Sequence, residues 1–167
     1  MITNERWEAN QGEFIFEILP DPWKFIESEC EKANSHETGG ILIGYYSEDR
    51  TTALVTEATS PPKDSLQGHN WFQRGVAGLK MLLAHRWINT SRRTYYIGEW
   101  HFHPTVEIVP SDDDYKQMRD ISISTNYHCS EPIMLIIGEG IGGKRPARVF
   151  IFPRGKKSFE YHRVATK

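Results

Sequence analysis

The chain has 167 residues, 38% of them hydrophobic, 25% charged and 12% aromatic, the profile of one soluble domain. At this length folding removes roughly 70% of the surface exposed by the unfolded chain, so a core can form unaided and a mini-protein scaffold is excluded. Twenty Lys and Arg against 22 Asp and Glu give a formal charge of −2, which excludes a global electrostatic pull toward nucleic acid or an anionic membrane.

The first residues carry no basic and apolar leader pattern, and Cys30 and Cys129 form no CxxC motif, so a cytoplasmic protein with free thiols is expected. In chain order, Glu13 to Ile18 alternates as a first strand. Asp21 and Pro22 are the expected cap and first residue of a helix running to about Asn34. Ile41 to Tyr46 and Thr51 to Ala58 predict a hairpin, and Ser60 to Asn70 a loop. Trp71, Val76, Leu79, Leu83 and Trp87 have the spacing of a long helix reaching about Thr90. Thr94 to Phe102 is the next strand, Ser111 to about Ser122 a short helix, and Ile133 to Ile137 and Ala147 to Phe152 further strands around a Gly138 to Pro146 turn. With no repeat or linker, the whole of 1–167 is expected to be one α+β domain. The longest apolar run, Ile133 to Ile137, is far short of the roughly 20 residues of a membrane span, so no membrane partner is expected.

The chemistry concentrates in Gly98-Glu99-Trp100-His101-Phe102-His103-Pro104 and, after it, Ser111-Asp112-Asp113-Asp114. Alternation on a strand points His101 and His103 to one face, and Pro104 breaks the strand just beyond them. Ser111 and Asp114, three apart at a helix start, share a face and also make a capping box. His101, His103 and Asp114 supply the three protein ligands that a catalytic zinc takes while it keeps a position for water, whose pKa falls to about 7 when bound. Glu37, beside Gly39-Gly40, is the candidate general base and acid, and Ser111 the candidate oxyanion donor. Glu99, on the face of His101, could orient that ligand or be a plain strand residue. The tryptophans are assigned to core packing, and the basic residues Lys144, Arg145, Arg148, Arg154, Lys156 and Lys157 to a solvated face.

Glu37, then His101-x-His103-Pro104, then Ser111-x-x-Asp114, resembles the JAMM signature of the JAB/MPN metalloprotease family, with all five functional positions present. The resemblance runs from about Phe14 to Phe152 and is nearest to the compact bacterial branch, although Phe102 stands where many members have a small polar residue. It implies a curved mixed sheet flanked by helices in a cytidine-deaminase-like arrangement. It also implies one zinc ion per chain held by His101, His103 and Asp114, with Glu37 and Ser111 catalytic. The implied activity is hydrolysis after the extended C-terminal tail of a ubiquitin-like protein or conjugate, as in bacterial antiphage conjugation systems. A non-catalytic scaffold and a sulfur-carrier processing peptidase are the alternatives. Residues 51–62 are the expected strand edge for such a tail.

Overall fold

The computed structural model describes residues 4–165; residues 1–3 and 166–167, the two ends of the expected 1–167 domain, lie outside the described residues. The elements are β1 (Glu5–Ala9), β2 (Phe14–Ile18), α1 (Pro20–Ala33), β3 (Thr38–Tyr46), β4 (Thr52–Ala58), β5 (Leu66–Gln67) and β6 (Phe72–Gln73). There follow α2 (Leu79–Asn89), β7 (Tyr95–Phe102), α3 (Asp112–Ile123), β8 (Ile133–Ile137), β9 (Ala147–Ile151), β10 (Phe159–Glu160) and β11 (His162–Arg163). The hairpin β5–β6 stands apart from the main sheet, whose order is β10-β9-β8-β7-β3-β4-β2-β1-β11.

Only Tyr161 separates β10 from β11, and the two halves of this last strand pair with opposite ends of the sheet, β9 on one side and β1 on the other. The α+β class holds and the sheet is mixed, with parallel pairs β2–β4 and β7–β8, but a merely curved sheet is corrected to a closed eight-stranded barrel. Closure was hidden because each half of the last strand makes a two-residue ladder, too short for a periodic signal.

Trp7, Phe16, Leu42, Val55, Ile97, Trp100, Leu135, Val149 and Tyr161 form the inner core, joined by Ile26 and Cys30 of α1. Ile41, Ile43, Tyr96, Met134, Ile136 and Phe150 form a second core with Met118 and Ile121 of α3, and Leu79, Leu82 and Leu83 of α2 pack against it. Both faces of the strands are therefore covered by apolar side chains. Cys30 and Cys129 are free and buried, as expected.

Three local expectations change. Helix α1 begins at Pro20, with Leu19 as an N-cap that offers no side-chain acceptor, so Asp21 lies inside the first turn instead of capping it. The helix expected over Trp71 to Thr90 survives only as Leu79–Asn89. Residues 72–73 pair instead with 66–67, and the Asp64 carboxylate accepts from the backbone N–H groups of Val76 and Ala77, at 3.0 and 2.9 Å, which holds that stretch as a loop. Strand β4 is bonded to β3 on one side and, over residues 52–55, to β2 on the other, so that part of the expected 51–62 edge offers no free ladder to a peptide tail.

Candidate metal centre

On β7, Trp100 and Phe102 enter the inner core, and alternation leaves His101 and His103 on the outer face. His103 lies one residue past the strand, yet its N–H still donates to the Ile137 carbonyl at 2.9 Å, so the β8 end fixes it before Pro104 turns the chain away. Thr38 pairs with Phe102 and Gly39 with His101, which puts Glu37, two residues before Gly39, on the face of the two histidines.

Helix α3 brings the carboxylate. Ser111 is its N-cap: the Ser111 hydroxyl accepts from the Asp114 N–H at 3.0 Å, and the Ser111 N–H donates to Asp114 Oδ2 at 2.8 Å. The capping box that is an ordinary helix start thereby fixes Asp114 against the histidines. Asp114 Oδ1 lies 3.1 Å from His101 Nδ1, and Oδ2 lies 3.8 Å from His103 Nε2. One donor atom from each of the three residues falls within 4.8 Å of the others, the only such group of potential metal ligands among the described residues.

Two features fit this group to a cation. His101 Nε2 is buried without a hydrogen-bond partner among the described residues, an orphaned lone pair or N–H that protein interiors rarely leave unexplained. Burial alone would raise the Asp114 carboxyl, but the hydrogen bond and charge of His101, with the Ser111 contacts, outweigh it and hold the group at about 2. Burial moves His103 below the usual imidazole range despite Asp114 nearby. Burial, the largest single influence, opposes a charge on His101 as well, yet the Asp114 hydrogen bond and the charges of Asp114, Glu99 and Glu37 together outweigh it and move that imidazole above the usual range.

Glu37 is half-buried and its backbone N–H donates to the Gly68 carbonyl at 2.8 Å. Burial, then the negative charge of Asp114, push its carboxyl up to about 7, with His101 opposing. A carboxyl near neutrality can take and return a proton at physiological pH. Ser111 is exposed; since its oxygen accepts from Asp114, its O–H remains free to donate outward.

Other expectations fare differently. Glu99 hydrogen-bonds to neither histidine and instead pairs with Arg74 at 2.6 Å, both side chains being almost fully buried. Trp7 and Trp100 pack in the core, whereas Trp71 and Trp87 are exposed. Half of the basic run is used internally, since Arg145 donates to the Gly138 carbonyl, Arg148 pairs with Glu160 and Arg154 donates to the Ser122 carbonyl. Phe72, unremarked in the sequence, packs edge-on to His101 at 5.7 Å between ring centres. Beside it a groove of about 640 Å³ runs between Trp71 to Arg74 on one wall and α3 on the other, with Asp113, Gln117 and Tyr127 among its lining residues. Only the hairpin β5–β6, which the helical spacing of Trp71 and Val76 obscured, could have revealed this wall. No described helix is long and apolar enough to cross a membrane.

Two histidines and a carboxylate beside a half-buried glutamic acid form a donor set of the kind that metal-dependent hydrolases use. The chain belongs to the prokaryotic homologs of the JAB domain, whose family model matches residues 25–151. It is 50% identical over 128 residues, 77% of this chain and 69% of the relative, to a CD-NTase/cGAS isopeptidase of Enterobacter hormaechei subsp. hoffmannii. A probable metalloprotease of Sinorhizobium fredii, y4qB, is 27% identical over 105 residues, 62% of this chain and 63% of that one. In fold, the solution structure of the Desulfitobacterium hafniense protein DSY2949 superposes with a TM-score of 0.57 over 88% of each chain at 15% identity. The names of these relatives support a hydrolase of the isopeptidase and metalloprotease kind.

Proposed function

We propose that the chain is a zinc-dependent isopeptidase of bacterial antiphage systems. In this reading it cleaves after the C-terminal tail of a ubiquitin-like protein, or of a CD-NTase conjugated in the same manner. The observation that carries the reading is the junction of His101, His103 and Asp114 beside Glu37, in a chain half identical to an isopeptidase over most of its length. His101, His103 and Asp114 would hold the ion, which when bound supplies a Lewis acid and an acidified water.

The chain's own residues then have separate tasks. Glu37 takes the proton of the attacking water and returns it to the leaving amine nitrogen, which suits a carboxyl poised near pH 7. The free O–H of Ser111 donates to the oxygen of the cleaved carbonyl as negative charge develops there. An extended tail would pair with the free side of β6, since the groove lies between that strand and α3 and β5 occupies its other side.

The test is cleavage of a CD-NTase joined through its C-terminal carboxyl to a lysine side chain of a carrier protein. Zinc-loaded wild type should release both halves, chelator should stop release, and Glu37→Ala should stop it while zinc stays bound. Release that persists in Glu37→Ala, or with zinc removed, would reject the mechanism. Failure of zinc-loaded protein to cut this conjugate, or any sulfur-carrier or ubiquitin-like fusion, would return the chain to the scaffold reading.

A further inference from the structure

The ion pair between Arg74 and Glu99 has no task in the site described so far. Glu99 is fully buried and the Arg74 side chain is 2% exposed, and Nε donates to Glu99 Oε2 at 2.6 Å. The other carboxylate oxygen accepts from the Tyr96 hydroxyl at 2.9 Å. The guanidinium also donates to the Tyr127 hydroxyl at 2.8 Å and to the Gly75 carbonyl at 2.7 Å. Three stretches of chain thus meet on one cation: the strand of the two histidines, the segment that follows β6, and the stretch after α3 that carries Tyr127.

We infer that Arg74 is a positioning residue: anchored on Glu99, it locks β6 to the histidine-bearing strand, so that Phe72 rests on His101 and the tail-binding edge keeps its register with the site. This rests on the isopeptidase reading. At its turn the hairpin is tied by the Glu37 N–H, which donates to the Gly68 carbonyl, and by His69, which stacks on His36, but the β6 end has few other ties. The hairpin pairs only two residues from each strand, Trp71 and Gln73 are exposed, and the neighbouring loop hangs on Asp64 and on the Ser65 hydroxyl, which accepts from the Gly75 N–H at 2.9 Å. A buried ion pair is a poor source of stability compared with apolar packing, but its directional fork can specify one geometry. Arg74 directly follows Gln73, the last residue of the edge, and Glu99 stands two residues before His101 on the same strand, so any slip at one end is transmitted to the other. Arg74 and its partner Tyr127 also form part of the lining of the groove.

The experiment uses the full chain, zinc-loaded, with Arg74→Met, Arg74→Lys and the paired Arg74→Met, Glu99→Met variant, which leaves no charge orphaned in the core. Three quantities are read: zinc per chain, amide exchange at Phe72 and Gln73, and KM and kcat on the CD-NTase conjugate named above. Breaking the pair should speed exchange at those two amides about tenfold, since a local opening is released. KM should rise about fivefold with a smaller change in kcat, zinc should stay bound, and Arg74→Lys should restore part of both effects. A folded paired variant with unchanged exchange and unchanged KM would overturn the inference. Loss of zinc in that variant would overturn it too, because Glu99 would then act on His101 itself. If wild type cuts no conjugate, the isopeptidase reading fails, while faster exchange in the variants would still demonstrate the lock and unchanged exchange would refute it.

Discussion

Gly39 stands directly opposite His101 in the β3–β7 ladder, and the side chain missing at 39 is what lets the Phe72 ring reach the imidazole. A Cβ there would run into the Trp100 carbonyl oxygen and lie 2.9 Å from the Phe72 ring and 3.1 Å from His101. The ring could move, but the carbonyl belongs to the ladder and cannot. Gly39→Ala is therefore expected to cost about 1–3 kcal/mol as an overpacked site. Urea unfolding should show the loss, and exchange at Phe72 should rise with it; an unchanged midpoint would mean that β3 can shift away from β7.

Asp114 serves the helix and the histidines at once, and two substitutions separate the roles. Asp114→Asn keeps an acceptor for the Ser111 N–H but removes the charge beside His101, whereas Asp114→Ala removes both. Native mass spectrometry should find zinc lost from both variants. Thermal unfolding should find only the alanine variant weakened by the further ~1 kcal/mol that the reciprocal bond of the capping box contributes. Zinc retained at full occupancy in Asp114→Asn would argue against a carboxylate ligand.

For Glu37 the sign of the pH effect follows from its raised pKa. In chelator-treated protein, between the ordinary value of 4.5 and about 7, the folded chain holds a proton that the unfolded chain has released. Stability from this group is complete below the lower value and is lost as pH rises through the upper one. Wild type should therefore lose more stability than Glu37→Gln when taken from about pH 5 to about pH 7.5. Equal losses in the two proteins would place the Glu37 carboxyl near its ordinary value.

Tyr161 closes the barrel, and its hydroxyl is buried with no hydrogen-bond partner among the described residues. Tyr161→Phe removes an unsatisfied polar atom and keeps the ring that packs near Phe16, at 6.1 Å between ring centres. The variant should be as stable as wild type or gain up to about 1 kcal/mol, while Tyr161→Ala should lose about 3–5 kcal/mol. A phenylalanine variant that unfolds earlier than wild type in calorimetry would show that the hydroxyl is satisfied in solution.

The strands that were legible in the sequence are those whose both faces are apolar or which alternate over five or more residues, such as Phe14–Ile18 and Ile133–Ile137. The candidate site was legible for a related reason: His101 and His103 share a face by alternation alone, and Ser111 and Asp114 share a helix start by spacing alone. Strand β1 escaped notice because only Trp7 and Ala9 of its five residues are buried. The hairpin β5–β6 was invisible because four paired residues have no period, and Trp71 and Val76, both exposed, mimicked the apolar stripe of a helix. Glu99 had its face read correctly and its partner missed, since Arg74 arrives from a loop whose path depends on Asp64.

The last strand gives the barrel a folding order. Arg163 bonds to Glu5 across 158 positions of sequence, so β1 and β9 have no partner on their outer sides until this strand has been synthesised. Contacts that distant form slowly, and unpaired edges are templates for other chains while they wait. The five residues from Phe159 to Arg163 therefore protect the nascent protein from aggregation at two edges simultaneously. Nascent chains stalled before them should self-associate through β1 and β9, well away from the histidines.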